Sequence, residues 1–180
     1  MSRRVVLALA TSADGFIADT AGSVDWLNAL PPEPELEAAF AAFMAGMGDL
    51  VMGRRTYDQV RGFGVWPYVG KRCWVLTSRP PDADKPADVT FVNAPAADTI
   101  ARLKSERDDA GIWVVGGAVV AASSHQAGLI DQYIITVALV LLGAGLPMFS
   151  GAAGNAPHAL ELLGVRHFGS FVEPRYAKRG

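Results

Sequence analysis

Short apolar runs of strand length alternate with helix-period segments along this chain, and that alternation restricts the fold more than any other feature. Val5-Val6-Leu7-Ala8-Leu9-Ala10, Leu50-Val51-Met52, Trp74 to Thr77, Val89 to Val92 and Ile112-Trp113-Val114-Val115 all read as strands, most of them buried. Apolar runs of this kind suit strands covered on both faces, and strands separated by helices suit a largely parallel sheet. The helices fall between them. After prolines 31, 32 and 34, Leu36, Phe40, Phe43, Met44 and Met47 recur at helical spacing, with Gly48 as the stop. Arg54 to Val60 suits a short helix, Ala96 to Arg107 a polar-faced one, and another follows Gly116-Gly117. Asp131 to Leu142 reads as one long strand, and Leu160 to Tyr176 alternates as a hairpin does, which predicts an antiparallel edge. The expected class is α/β: a central, mostly parallel sheet with helices on both faces and an antiparallel C-terminal hairpin. A chain of 180 residues without a linker or repeat suits a single domain over 1–180.

Composition narrows the function classes. Apolar residues make up 51% of the chain and charged residues 19%, a globular balance, and the formal charge is −2. No overall basic field is available to hold nucleic acid or an anionic membrane. The longest apolar stretch, Ile134 to Leu142, is far short of a membrane span, and no signal peptide is visible after Arg3-Arg4. The cytoplasm is the expected compartment. Cys73 has no partner for an intramolecular disulfide and sits in an apolar run, so it reads as a core thiol. His125, His158 and His167 lack metal-ligand spacing, and no metal site is indicated.

A nearly neutral chain that binds an anion must do so through local clusters, and such clusters occur where strands end. Val115 runs into Gly116-Gly117-Ala118-Val119-Val120, a helix start whose glycines admit a phosphate close to the backbone N–H groups. Met52 runs into Gly53-Arg54-Arg55-Thr56-Tyr57, which places two guanidinium groups and a hydroxyl at another helix start. Arginine there opposes the helix dipole, and binding an anion would account for it. Leu76-Thr77-Ser78-Arg79 is a third hydroxyl-and-arginine turn at the carboxyl end of a strand, the edge where ligands of open α/β sheets gather. Three such turns favour a ligand with several phosphates. The usual three-glycine dinucleotide fingerprint near the first strand is absent.

These turns, together with Ser12-Ala13-Asp14-Gly15-Phe16-Ile17-Ala18, Val24-Asp25-Trp26-Leu27, Ala127-Gly128-Leu129-Ile130-Asp131 and Leu141-Leu142-Gly143-Ala144-Gly145-Leu146-Pro147, resemble the dihydrofolate reductase superfamily. The similarity is greatest to the branch containing the reductase domain of bacterial riboflavin biosynthesis and its small stand-alone relatives. The resemblance implies the three-layer fold of that superfamily and an NADPH site. Gly53, Arg54, Arg55 and Thr56 would face the pyrophosphate and the adenosine 2′-phosphate. Leu76, Thr77, Ser78 and Arg79 would hold the adenosine end, and Gly116, Gly117, Ala118, Val119 and Val120 the pyrophosphate. Ala10, Ile17 and Ala18 would lie by the nicotinamide. It also implies a homodimer.

Reduction of a C=N or C=O bond needs a proton donor within reach. In dihydrofolate reductases an acid on the helix after the first loop serves the ring, and Glu37 stands where that acid is expected. Asp25 and Asp14 are further candidates, and Trp26 and Trp66 could stack on a planar ring. The resemblance therefore points to NADPH-dependent reduction of a small pyrimidine- or pteridine-type heterocycle, with a ribosylaminouracil phosphate as the leading substrate. Such a substrate asks for a basic group beside the nicotinamide, for which Lys71 and Arg72 are the candidates in sequence. The alternatives are dihydrofolate reduction and an NADPH-binding protein without turnover.

Overall fold

A computed structural model of the chain describes residues 3–106, 109–151 and 157–179. In chain order its elements are β1 (Val5–Ser12), β2 (Phe16–Ala18), α1 (Asp25–Asn28), α2 (Pro34–Ala45), β3 (Met47–Gly53), α3 (Arg54–Gly62), β4 (Arg72–Leu76), β5 (Val89–Val92), α4 (Ala96–Ser105), β6 (Gly111–Gly116), α5 (Ala118–Gln126), β7 (Gln132–Ala138), β8 (Leu146–Pro147), β9 (Leu160–Phe168) and β10 (Phe171–Lys178). Eight strands form one sheet in the order β5-β4-β3-β6-β1-β7-β10-β9, and β2 pairs with β8 in a small second sheet. All neighbours from β5 to β7 are parallel, whereas β10 is antiparallel to both β7 and β9.

The two-residue period of the strands sorts the core into two layers. Val5, Leu7, Val51, Ile112 and Val114 face α4 and α5, with Ile100, Leu103 and Ala121 packed on them. Val6, Leu50, Met52, Val75 and Trp113 face the other way, toward Phe43 and Met44 of α2 and Tyr57 and Val60 of α3. In-register pairs such as Val6 with Trp113 and Leu7 with Val114 keep each layer continuous across strands. Cys73 lies in the second layer, and burial pushes its thiol up to about 12, so it stays a protonated core group.

Three boundaries depart from the sequence reading. The helix after the prolines stops at Ala45 with Gly46 as its cap, so Met47 and Gly48 belong to β3 and not to the helix. Helix α4 ends at Ser105; the expected end, Arg107, lies outside the described residues. The long strand from Asp131 is regular only over Gln132–Ala138. Beyond it the backbone turns aside: Leu139 N–H donates to the Ser170 carbonyl, Val140 carbonyl accepts from Ala13 N–H, and Leu139 and Leu141 are exposed.

At the amino ends of β1, β3 and β4 lies a buried ionic cluster. Asp49 accepts from Arg3 at 2.6 Å, from Arg72 at 2.6 Å and from the Trp74 indole at 2.7 Å, and Arg3 also donates to the carbonyls of Leu103 and Ala110. Lys71 donates to the Met47 carbonyl. Lys71 and Arg72, sought beside the nicotinamide, are thus tied at the edge of the sheet opposite the carboxyl ends. No helix among the described residues is long and apolar enough to cross a membrane.

Candidate functional site

Because β3, β4 and β6 are parallel, their carboxyl ends and the turns that follow share one edge, and that edge is hollow. A cleft of about 1480 Å³ is lined there by Gly53, Arg54, Arg55 and Thr56, by Leu76, Thr77 and Ser78, by Gly117, Ala118, Val119 and Val120, and by Ile17 and Ala18 of β2. The three turns separated in sequence by some twenty to forty residues therefore meet in one place. Helices α3 and α5 both begin in this cleft, capped by Gly53 and Gly117 without any side-chain cap bond, so their leading N–H groups remain available to a ligand anion. The two starts approach so closely that a Cβ on Gly117 would stand 3.3 Å from Thr56 Oγ1.

The arginines of the cleft divide into two kinds. Arg54 donates to Asp58 at 2.7 Å and to Asp82 at 2.5 Å and lies over the Phe91 ring at 5.2 Å. That is the structural reason for an arginine at this helix start which the sequence did not reveal. Arg79 pairs with Asp58 at 3.1 Å and does not line the cleft. Arg55 is exposed, lines the cleft and has no ion pair among the described residues. Gly116 precedes the lining residues, at the end of β6. Asp19, Thr20, Asn93 and Gln59 also line the cleft. They come from loops and from the exposed side of α3, and no local pattern marks them in sequence.

The floor of the cleft is fixed by Asp14. Its carboxylate accepts from the Ser12 hydroxyl at 2.6 Å and from the amides of Leu142 and Gly143 at 3.1 and 2.7 Å, which clamps the β7–β8 loop against the β1–β2 turn. The Ser12 bond above all, joined by the two amides and opposed by desolvation, holds this carboxyl below its usual range. Asp14 is committed to the loop and lines neither cleft. Beyond the clamp, Gly145 lets β8 lie on β2, because a Cβ there would collide with the Ala18 carbonyl.

A second cleft, of about 680 Å³, opens between α2 and the strands β1, β7 and β10. Ala8, Leu9 and Ala10 supply one wall; Leu36, Glu37 and Phe40 of α2 supply another; Trp113 and Thr136 lie between. Trp113 is fixed by an indole bond to the Ala8 carbonyl at 2.8 Å and by edge contacts to Phe40 and Phe43. Glu37 is exposed at this cleft. Asp25 is exposed at the start of α1 and lines neither cleft. Trp26 packs with Ala138, Phe168 and Phe171. Trp66 stacks with Tyr57 and Tyr68, at 5.7 and 5.2 Å between centroids, under α3. Neither tryptophan lines either of these clefts, and among the described residues neither indole N–H has a partner; both rings pack against core residues.

One acid of the second cleft escaped the sequence reading. Glu173 on β10 is 5% exposed and lines the cleft. It accepts from Arg166 at 2.5 Å, from Arg175 at 3.0 Å and from the Thr136 hydroxyl at 3.2 Å. Burial pushes its carboxyl up, but the bonds from Arg166 and Arg175 outweigh burial and hold it below the ordinary value. The signal was present in Phe171-Val172-Glu173: a carboxylate at the inward position of an alternating strand. His125 and His158, distant in sequence, stack 4.5 Å apart beside Tyr133 and Phe149. Among the described residues no group of three or more metal-ligating side chains gathers.

Comparison with known proteins places this geometry. Residues 65–172 match the family described as the RibD C-terminal domain. The chain is 37% identical to the uncharacterized protein YwjB of Bacillus subtilis strain 168, over 99% of each chain. Among solved structures, a Shewanella sp. PV-4 protein provisionally ascribed to riboflavin biosynthesis superposes with a TM-score of 0.85, at 29% identity and over the whole of both chains. The Thermotoga maritima diaminohydroxyphosphoribosylaminopyrimidine deaminase/5-amino-6-(5-phosphoribosylamino)uracil reductase superposes with a TM-score of 0.73 at 18% identity, over 99% of this chain and 57% of that one. The fold is that of the reductase half of such proteins.

Proposed function

From the premise that this chain belongs to the RibD C-terminal domain family, whose fold is dihydrofolate reductase-like, we propose that it is an NADPH-dependent reductase of a small pyrimidine- or pteridine-type heterocycle. The observation that carries the proposal is the convergence of two uncapped helix starts and one unpaired arginine in a cleft of dinucleotide size. A dinucleotide pyrophosphate suits the N–H groups of Arg54 to Thr56 and of Ala118 to Val120, where two helix dipoles converge on one anion. Arg55 is the group for the 2′-phosphate, with Thr77 and Ser78 beside it as hydroxyl donors. Leu76 flanks the adenosine end, and Ile17 and Ala18 the nicotinamide end.

The substrate side is the second cleft, where Ala10 of β1 is the lining residue that would stand beside the nicotinamide. When bound, NADPH supplies a hydride. The chain supplies position and a proton. Trp113 and Phe40 flank a planar ring, and the apolar lining from Leu27, Leu30 and Leu36 keeps water from the reacting bond. As hydride reaches the carbon of a C=N or C=O bond, the nitrogen or oxygen needs a proton. Glu37 carries no ion pair among the described residues and is open to solvent that can reload it, so it is the donor.

Replacing Glu37 by Gln should lower kcat for ring-dependent NADPH oxidation by about two orders of magnitude or more, the usual share of one general acid. NADPH affinity should hold. Oxidation followed by loss of absorbance at 340 nm is the assay, and unchanged turnover removes Glu37 from the mechanism.

A further inference from the structure

The second cleft carries more information than its size. Its charged lining consists of Glu33, Glu37, Glu173 and Arg175, three carboxylates against one guanidinium. That single guanidinium is engaged: Arg175 Nε donates to Glu173 at 3.0 Å, and Arg166 donates to the same oxygen. The lysine and arginine that a phosphorylated substrate would require, Lys71 and Arg72, lie at the opposite edge of the sheet. A phosphate entering this cleft would lose its hydration and meet net negative charge, with no lining cation among the described residues free of a carboxylate partner to offset the loss.

Glu173 itself has capacity to spare. Its Oε1 takes the bonds from both arginines, while among the described residues Oε2 receives only the Thr136 hydroxyl, at 3.2 Å. A carboxylate oxygen has room for another donor, and one held in the ionised form accepts without giving up a proton. Building on the reductase reading, we infer that the cleft takes an unphosphorylated planar ring and that Glu173 Oε2 receives one of that ring's N–H groups. Glu173 is then the residue that orients the ring, distinct from Glu37, which faces solvent at the same cleft.

The test uses a matched pair of probes, 5-amino-6-ribosylaminouracil and its 5′-phosphate, titrated calorimetrically into the NADP⁺-saturated protein. The unphosphorylated ring should bind roughly tenfold tighter or better, the scale set by one unfavourable charge contact. Tighter binding of the phosphate overturns the inference. Glu173→Gln supplies the second arm. Its amide oxygen must stay toward Arg166 and Arg175, which turns its NH₂ toward the ring and sets donor against donor. Ring affinity should fall about tenfold or more, the size of one charge-assisted hydrogen bond, while NADP⁺ affinity, which reports an intact fold, holds. Unchanged ring affinity in this variant, or a loss on Glu37→Gln alone, overturns the assignment. If cofactor binds and neither ring does, the substrate class is wrong and the cofactor reading survives. If no cofactor binds to the unaltered protein, it is the reductase reading that fails.

Discussion

Replacing Asp49 by Ala should destabilise the protein by about 3–5 kcal/mol, the cost of breaking a buried ion pair. Asp49 and Arg3 have fully buried side chains, and Arg3 reaches Asp49 at 2.6 Å from a position that water cannot enter. Without the carboxylate, the Arg3 guanidinium keeps its bonds to the Leu103 and Ala110 carbonyls but loses a fully buried ion pair at 2.6 Å. Trp74 loses its indole acceptor at the same time. For a chain of this length each kcal/mol corresponds to about 2–4 °C, so the melting temperature should drop by roughly 6–20 °C. Circular dichroism melts measure it. The double replacement Arg3→Met with Asp49→Leu should recover part of the loss, since an apolar pair needs no desolvation while the bonds that Trp74 and Arg72 make to Asp49 stay lost. A drop under about 2 °C for Asp49→Ala would contradict the buried-pair account. Because the cluster sits at the amino ends of the strands, the folded variant should retain its cofactor affinity.

The second large effect is expected at the other edge. Arg55→Ala should raise the dissociation constant for NADPH by roughly ten- to a hundredfold, which corresponds to about 1.5–3 kcal/mol for a hydrogen-bonded contact with a charged group. NADH lacks the 2′-phosphate and should bind the variant as it binds the unaltered protein. The prediction is specific to Arg55 because its neighbours are engaged elsewhere. Arg54 is held by Asp58 and Asp82, and Arg79 by Asp58, so Arg54→Ala should lower stability and leave the preference for NADPH over NADH in place. Equal losses for NADPH and NADH in Arg55→Ala would sink the 2′-phosphate assignment. Fluorescence or calorimetric titration distinguishes the two patterns.

The sequence disclosed the layered α/β architecture because buried parallel strands and helices have different periods, and both periods were clean. Val5 to Ala10 and Ile112 to Val115 admit little besides a doubly covered strand, and the glycines after Met52 and Val115 mark helix starts through the room they leave. Strand order was not legible, because pairing of β6 between β3 and β1 is a tertiary choice that no local pattern encodes. The short strands β2 and β8 escaped for a related reason: each is ordered mainly by the other, and by Gly145 fitting against the Ala18 carbonyl.

The same division runs through the site. The positions of Gly53, Gly117 and the helix starts after them were legible because glycine and strand ends leave a local signature. Side chains whose role depends on partners were misjudged. Arg54 looked like a ligand for an anion until Asp82 came into reach from a distant loop, Asp14 looked like a candidate acid until it clamped Leu142 and Gly143, and Trp26 and Trp66 proved to be packing. Glu173 was overlooked although its inward place in Phe171-Val172-Glu173 marks a buried carboxylate, because its partner Thr136 and the cleft come together only in the fold. Long-range hydrogen bonds decide such roles, and they are a property of the fold.

The central claim is that the cleft at the carboxyl ends of β3, β4 and β6 holds NADPH. Its most direct test is calorimetric titration of the purified protein with NADPH and, in parallel, NADH. The account predicts one saturable site with clear preference for NADPH, a preference that shrinks as salt screens Arg55. Failure of both nucleotides to bind would contradict it, leaving the fold in place and removing the cofactor on which every functional assignment depends.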